Sequence, residues 1–202
     1  MRSICHRCFR PVEFCVCREL VAVTARTRVV ILQHPREARL AICSALLARL
    51  GLVNAELHRG VSFEDGSEVR ALAARPGAAV LFPSEGATPA ASLSGTPPPV
   101  LFAVDGTWQQ ATKMLARNPW LGALPRISVD AGRPSGYAGL RKEPGAIHLS
   151  TLEAIALALG DLERDPARFA PMVDAFHRMV ALQLACTEGK RRNPRHRTYE
   201  DR

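Results

Sequence analysis

A chain of 202 residues with 47% hydrophobic and 5% aromatic content can bury one substantial core, filled mostly by Leu, Val and Ala. No run approaches ~18 consecutive apolar residues, and the opening Met1-Arg2-Ser3-Ile4-Cys5-His6 has no apolar signal region, so a cytoplasmic protein without a membrane span is expected. The net charge of +8 lies at the ends: residues 1–28 carry six Arg against Glu13 and Glu19, residues 190–202 carry six Lys/Arg against Glu200 and Asp201, and the middle balances fifteen against fifteen. A basic end is often only a solubilising tail, but two basic ends around a neutral middle fit a polyanion lying across the protein.

Four of the six cysteines, Cys5, Cys8, Cys15 and Cys17, fall within thirteen residues as C-x2-C followed by C-x-C. Pairs this close can converge on one tetrahedral ion, and a structural zinc is the favoured reading over a redox pair or a site in which His6 replaces a thiolate. Four thiolates around zinc would carry −2 and reduce the N-terminal excess to about +2, so the interleaved arginines partly neutralise the site itself.

Thr27 to Gln33 reads as a buried strand, and His34-Pro35 turns it into a helix from about Glu37 to Leu50 with the stripe Ala38, Ile42, Leu46, Leu50, ended by Gly51. His34 reads as a turn residue and Cys43 as a small core residue. Ala55 to His58 is a short strand, 66–75 a short helix stopped by Pro76-Gly77, and Ala78 to Phe82 a third buried strand leading into Pro83-Ser84-Glu85-Gly86-Ala87. The proline-rich segment Thr88 to Pro99 has no periodicity and reads as a loop.

Val100-Leu101-Phe102-Ala103-Val104-Asp105 is the central strand, and Thr107 with Gln110 forms a capping box for a helix that runs from Trp108 to Arg117. Asp105 thus stands at the carboxyl end of a core strand beside a helix start, where open α/β sheets bind ligands. The residues alone leave open that Asp105 only caps the turn and Trp108 only packs. A strand at 126–130 is followed by the Gly- and Pro-rich segment 131–145, which carries Arg133, Arg141 and Lys142; an unstructured stretch this long within a domain is usually functional or disordered. Ser150 and Glu153 form a second capping box, opening a helix that stops near Gly160; its first amides could receive a carboxylate or phosphate. The last helix, about Pro166 to Glu188, has a core face of Phe169, Met172, Val173, Phe176, Met179 and Val180. The sequence holds no internal repeat, P-loop or Rossmann glycine pattern.

Taken together, Asp105-x-Thr107-Trp108, the cysteine cluster, Leu140-Arg141-Lys142-Glu143-Pro144 and Leu149-Ser150-Thr151-Leu152-Glu153-Ala154 closely resemble the DTW-domain family over nearly the whole chain. The family consists of S-adenosylmethionine-dependent tRNA-uridine aminocarboxypropyltransferases related to the SPOUT class. One departure is Cys43-Ser44, where members often carry an Asn-Thr pair. The resemblance implies an α/β, SPOUT-like fold: a mostly parallel sheet flanked by helices with a C-terminal knot, plus a small N-terminal zinc lobe. The division would be 1–26 for the lobe, 27–189 for the catalytic domain and 190–202 for a basic tail.

It further implies that S-adenosylmethionine sits around Pro83, Ser84 and Gly86, around Asp105 and Gly106, and around Leu140, Arg141, Lys142, Leu149, Ser150, Thr151 and Glu153. Asp105 is the first choice as base for the uracil N3 proton and Glu85 the second, with Thr107 and Trp108 beside them. Trp108 is expected to stack on uracil or adenine. The tRNA backbone is expected on Arg133, Lys142, Lys190, Arg191, Arg192, Arg195 and Arg197. SPOUT relatives often dimerise and DTW proteins need not, which slightly favours a monomer. The rival readings are a methyltransferase using the same cofactor and a zinc-stabilised RNA-binding module without catalysis.

Overall fold

The computed structural model describes residues 3–40, 42–63, 67–130, 132, 136 and 149–188, with Ser67, Thr187 and Glu188 described by their backbone alone. Six strands, β1 (Arg28–Gln33), β2 (Ala55–Arg59), β3 (Ala79–Leu81), β4 (Thr88–Pro89), β5 (Val100–Asp105) and β6 (Arg126–Ser128), form one sheet in the order β2-β1-β5-β3-β6-β4. All five strand pairings are parallel. Among the described residues, the crossover connections that parallel strands need hold α1 (Ser44–Gly51), α2 (Ser67–Ala73), α3 (Trp108–Arg117) and α4 (Pro119–Gly122), while α5 (Thr151–Glu163) and α6 (Pro166–Glu188) follow the last strand.

The side chains of β1 and β5 alternate between two apolar layers. Val29, Ile31, Leu101 and Ala103 join the cluster that holds Leu47, Leu152, Leu159, Phe169, Met172 and Phe176, so α1, α5 and α6 cover that face. Val30, Leu32, Val100 and Phe102 join Val69, Leu72, Met114 and Leu121, so α2, α3 and α4 cover the other. Burial on both faces explains why these strands read as unbroken apolar runs. The period of two also places Gln33 and Asp105 on the α1/α5 face, following Ile31 and Ala103. Among the described residues no helix is long and apolar enough to cross a membrane.

The capping boxes at Thr107 and Ser150 are both formed, and α3 and α6 have the expected bounds. Other expectations need correction. The first helix starts at Ser44 instead of about Glu37; residues Glu37–Arg39 form a separate 3₁₀ turn and Leu40 is extended. Tertiary contacts override helix propensity here, since Glu37 is buried and the Cys43 carbonyl accepts a hydrogen bond from Arg10 Nη2 at 3.1 Å. The stripe Ala38, Ile42, Leu46, Leu50 is accordingly only half-buried, and the face in the core is Ala45, Leu47 and Ala48. Gly51 is the last residue of α1, where a Cβ would lie 2.9 Å from Met172 Cγ.

The segment from Thr88 is not all loop. Thr88–Pro89 pairs with β6 at the edge of the sheet and Ala90–Leu93 forms a 3₁₀ turn, a pairing too short to leave a periodic signal. Finally, α5 continues through Gly160 to Glu163 and ends at Arg164, which takes the left-handed conformation at φ 56°. Gly160 serves close packing: a Cβ there would stand 2.9 Å from the Pro166 Cα at the start of α6. That neighbour is backbone and cannot swing aside. Gly160→Ala is therefore expected to lower stability by about 1 kcal/mol in chemical denaturation, despite a gain in helix propensity of similar size, because overpacking costs ~1–3 kcal/mol.

Candidate active site

The carboxyl edge of the sheet gathers the ends of β1, β3 and β5 and the start of α5. Gln33 and Asp105 are register partners on adjacent strands. Gln33 is fully buried and Asp105 nearly so, and Gln33 Nε2 donates to Asp105 Oδ2 at 2.8 Å. From α5, Thr151 Oγ1 donates to Asp105 Oδ1 at 2.6 Å. Both carboxylate oxygens accept a side-chain hydrogen bond, which fixes the rotation of the group. Asp105 therefore does more than cap its turn; the Thr107 amide is served by Gln110 Oε1 at 2.7 Å.

The orientation of Gln33 is itself determined. Its Oε1 accepts from Arg59 Nε at 3.2 Å, so Nε2 must face Asp105, and Nε2 also lies 3.0 Å from Cys43 Sγ. Burial and the neighbouring Asp105 charge push the Cys43 thiol up from its ordinary range, keeping it neutral. Gln33, Cys43 and Arg59 were not expected at the site. A polar residue that ends an apolar run looks like a strand exit, and only the register reveals what it faces.

Trp108, the first residue of α3, is 48% exposed and stacks on Phe82 with ring centroids 4.9 Å apart and planes 19° from parallel. The Arg126 guanidinium lies 5.7 Å from the Phe82 ring centroid. Phe82 leads into the loop of Pro83, Ser84, Glu85 and Gly86, in which Glu85 and Gly86 are exposed and Gly86 has φ 75°. Ser84 Oγ is buried without a hydrogen-bond partner among the described residues, an unsatisfied polar atom at the strand-end position where a ligand is expected. At the second helix start, Ser150 and Glu153 exchange their capping bonds at 2.9 and 3.2 Å, and Glu153 Oε1 also accepts the Gly136 amide at 2.8 Å. Leu149 adjoins this start. Arg133, Leu140, Arg141, Lys142, Lys190, Arg191, Arg192, Arg195 and Arg197 lie outside the described residues.

The Sγ atoms of Cys5, Cys8, Cys15 and Cys17 all lie within 4.8 Å of one another, with Cys5–Cys17 at 3.9 Å and Cys8–Cys15 at 3.7 Å. Four sulfurs placed tetrahedrally at ~2.3 Å from zinc would stand ~3.8 Å apart. The four side chains thus fit a closed structural zinc site. Backbone amides of Cys8 and Arg7 bring the Cys5 thiol down to about 6, whereas burial raises Cys15 and Cys17. Such a set holds four thiolates only with a cation among them.

Residues 2–184 match the DTW domain, and the chain belongs to this family. It is 31% identical over 191 residues to tRNA-uridine aminocarboxypropyltransferase 2 of Drosophila melanogaster, an alignment covering 91% of this chain and 76% of that protein. It is 29% identical over 219 residues to tRNA-uridine aminocarboxypropyltransferase A of Arabidopsis thaliana, covering 90% and 81%. With tRNA-uridine aminocarboxypropyltransferase 2 of Mus musculus it shares 30% identity over 192 residues, covering 91% and 64%. No solved structure matches the chain.

Two predictions come from this geometry. Protein purified without chelator is expected to contain about one zinc per chain by metal analysis; serine at Cys8 should lower that content and serine at Cys43 or Cys186 should not. Gln33→Glu is expected to destabilise the protein by ~1–3 kcal/mol at neutral pH, by setting a second carboxylate against Asp105 and removing a buried donor. The repulsion raises the proton affinity of the pair in the folded state. Relative to the parent, the deficit should therefore shrink as pH falls through the carboxylate range, which denaturation midpoints between pH 7 and pH 4 would show.

Proposed function

We propose that the protein transfers the 3-amino-3-carboxypropyl group of S-adenosylmethionine to N3 of a uridine in tRNA, with release of methylthioadenosine. The observation that carries this reading is the DTW-domain match over residues 2–184, together with relatives named for that transfer at about 30% identity along nine-tenths of the chain. When bound, S-adenosylmethionine supplies a sulfonium that activates the methionine Cγ towards a nucleophile. Residues suited to hold it are Ser84, whose buried hydroxyl has no partner among the described residues, and the segments 83–87, 105–108 and 149–153 at the same sheet edge. Arg141 or Lys142 are proposed to hold its carboxylate or an RNA phosphate.

The chain's own contribution to the chemistry is proton removal and positioning. In the proposed mechanism Asp105 accepts the uracil N3 proton as attack proceeds, and the bonds from Gln33 and Thr151 hold the carboxylate still while it does so. Glu85, exposed on the neighbouring loop, is the second candidate. Trp108, held against Phe82, offers a ring on which uracil or adenine can stack. Arg133, Lys142 and the run Lys190, Arg191, Arg192, Arg195 and Arg197 are proposed to contact the tRNA backbone. The same reading relates the fold to the SPOUT class, with a knot formed around 131–150, and takes the protein to act as a cytoplasmic monomer divided as 1–26, 27–189 and 190–202. The all-parallel sheet and the family match support the α/β, DTW part of this reading.

Mass spectrometry of tRNA incubated with protein and S-adenosylmethionine tests the reaction: an aminocarboxypropyl addition is expected, whereas a methyl addition or none would overturn the reading. Asp105→Asn tests the base. The amide can still accept from Gln33 and donate to the Thr151 hydroxyl, so folding should be retained, but it cannot take a proton. Turnover is expected to fall ~10²–10⁴-fold with cofactor binding and melting temperature unchanged; near-normal turnover would transfer the role to Glu85.

A further inference from the structure

The N-terminal lobe carries a side chain that the proposed chemistry does not use. Phe9, directly after Cys8, sits at φ 57°, in the left-handed region that is costly for any residue with a Cβ. The turn requires it: the Phe9 amide donates to the Cys5 carbonyl at 2.8 Å, and the Cys5 amide donates to the Arg10 carbonyl at 2.8 Å, which folds Cys5 and Cys8 towards each other. Glycine would meet this geometry without strain. Burial of the ring does not account for Phe9, because it is 66% exposed. Ile4 and Val12 are exposed beside the same turn, with Ile4 bridged to Pro11 and the Val12 amide bonded to the Ser3 carbonyl.

The next residue points the opposite way. Arg10 is buried, and its Nη2 donates to the Cys43 carbonyl at 3.1 Å and lies 2.7 Å from Met179 Sδ. Cys43 in turn adjoins Gln33, which holds Asp105. The lobe is therefore fastened at the carboxyl edge, beside the candidate active site, with Phe9 outward. His6 and Arg7 are exposed next to it, and residues 3–12 contain no acid.

We propose that Phe9 stacks on an unpaired base of the tRNA, with Arg7 on a neighbouring phosphate. A strained, exposed ring two residues from the exposed Arg7, in a stretch without acids, suits a single-stranded nucleotide. Three exposed apolar side chains are far fewer than the 20–30 residues a protein partner typically covers on each side. The proposal rests on tRNA being the substrate.

The test uses the full-length, zinc-loaded protein and unmodified tRNA, with affinity measured across a salt series and melting temperature and zinc content recorded. Phe9→Gly and Phe9→Asn both remove the ring and tolerate the left-handed backbone, whereas Phe9→Trp keeps a ring. The expected result is a ~5-fold to 100-fold loss of affinity for Gly and Asn with an unchanged salt slope, near-parent affinity for Trp, and zinc and melting temperature at or above the parent's. Arg7→Gln should instead reduce the salt slope by about one. Unaltered affinity for Phe9→Gly would overturn the proposal and leave the patch to a protein partner; loss of zinc in both ring-less variants would overturn it in favour of a folding role. Absence of tRNA binding by the parent would also overturn it. Tight binding by the parent without aminocarboxypropyl addition would overturn the proposed reaction alone.

Discussion

The geometry of the site depends on the register between two neighbouring parallel strands. β1 and β5 pair so that Gln33 lies opposite Asp105, at the end where both strands leave the sheet. A slip of either strand by one residue would turn its polar end into the α2/α3 layer, away from its partner and from Thr151. The pairing register thus brings an amide and a carboxylate together. Thr151 then adds a third element, the start of α5, through a bond that depends on the helix being capped where Ser150 and Glu153 cap it. Site and scaffold are joined at these few atoms.

The same arrangement explains how a carboxylate can be nearly buried and still be available for chemistry. The hydrogen bonds from Gln33 and Thr151 come from neutral donors, which orient the carboxylate without adding a charge of their own. Arg59 acts one step away, on the far end of the Gln33 amide. Phe82 plays a comparable part for Trp108: the buried ring backs the exposed one and limits its rotamers.

Most of this fold was legible because its signals are local. The strand 100–105, the helix 108–117 and both capping boxes are written in consecutive residues, and the α6 face from Phe169 to Val180 repeats at helical spacing over about three turns. What escaped was set by distant contacts. The delayed start of α1 follows from Arg10 and buried Glu37, the passage of α5 through Gly160 from Pro166, and the strand at Thr88–Pro89 from an edge two residues long. At the site, the spacing picked out Asp105 and Trp108 and the family resemblance Thr151, whereas Gln33 and Cys43 needed the register and the α1 start respectively. The cysteine cluster was readable from four positions, but Phe9 could be noticed only once its φ angle was known.

Arg10 makes the small lobe part of the larger one. Its guanidinium ties down the residue that precedes α1: Cys43 offers no side-chain cap, and its carbonyl accepts from a residue thirty-three positions earlier. That residue sits between Cys8 and Cys15, so a metal bound by the four cysteines would also keep the guanidinium in place. The chain from residue 27 onward is consequently not a unit that can be cut free without loss. Cutting there would leave the start of α1 to find a new resting position, and Gln33 would lose the neighbour that shares its amide with Asp105. A metal some distance from the reacting carbon would thereby set how firmly the proposed base is held.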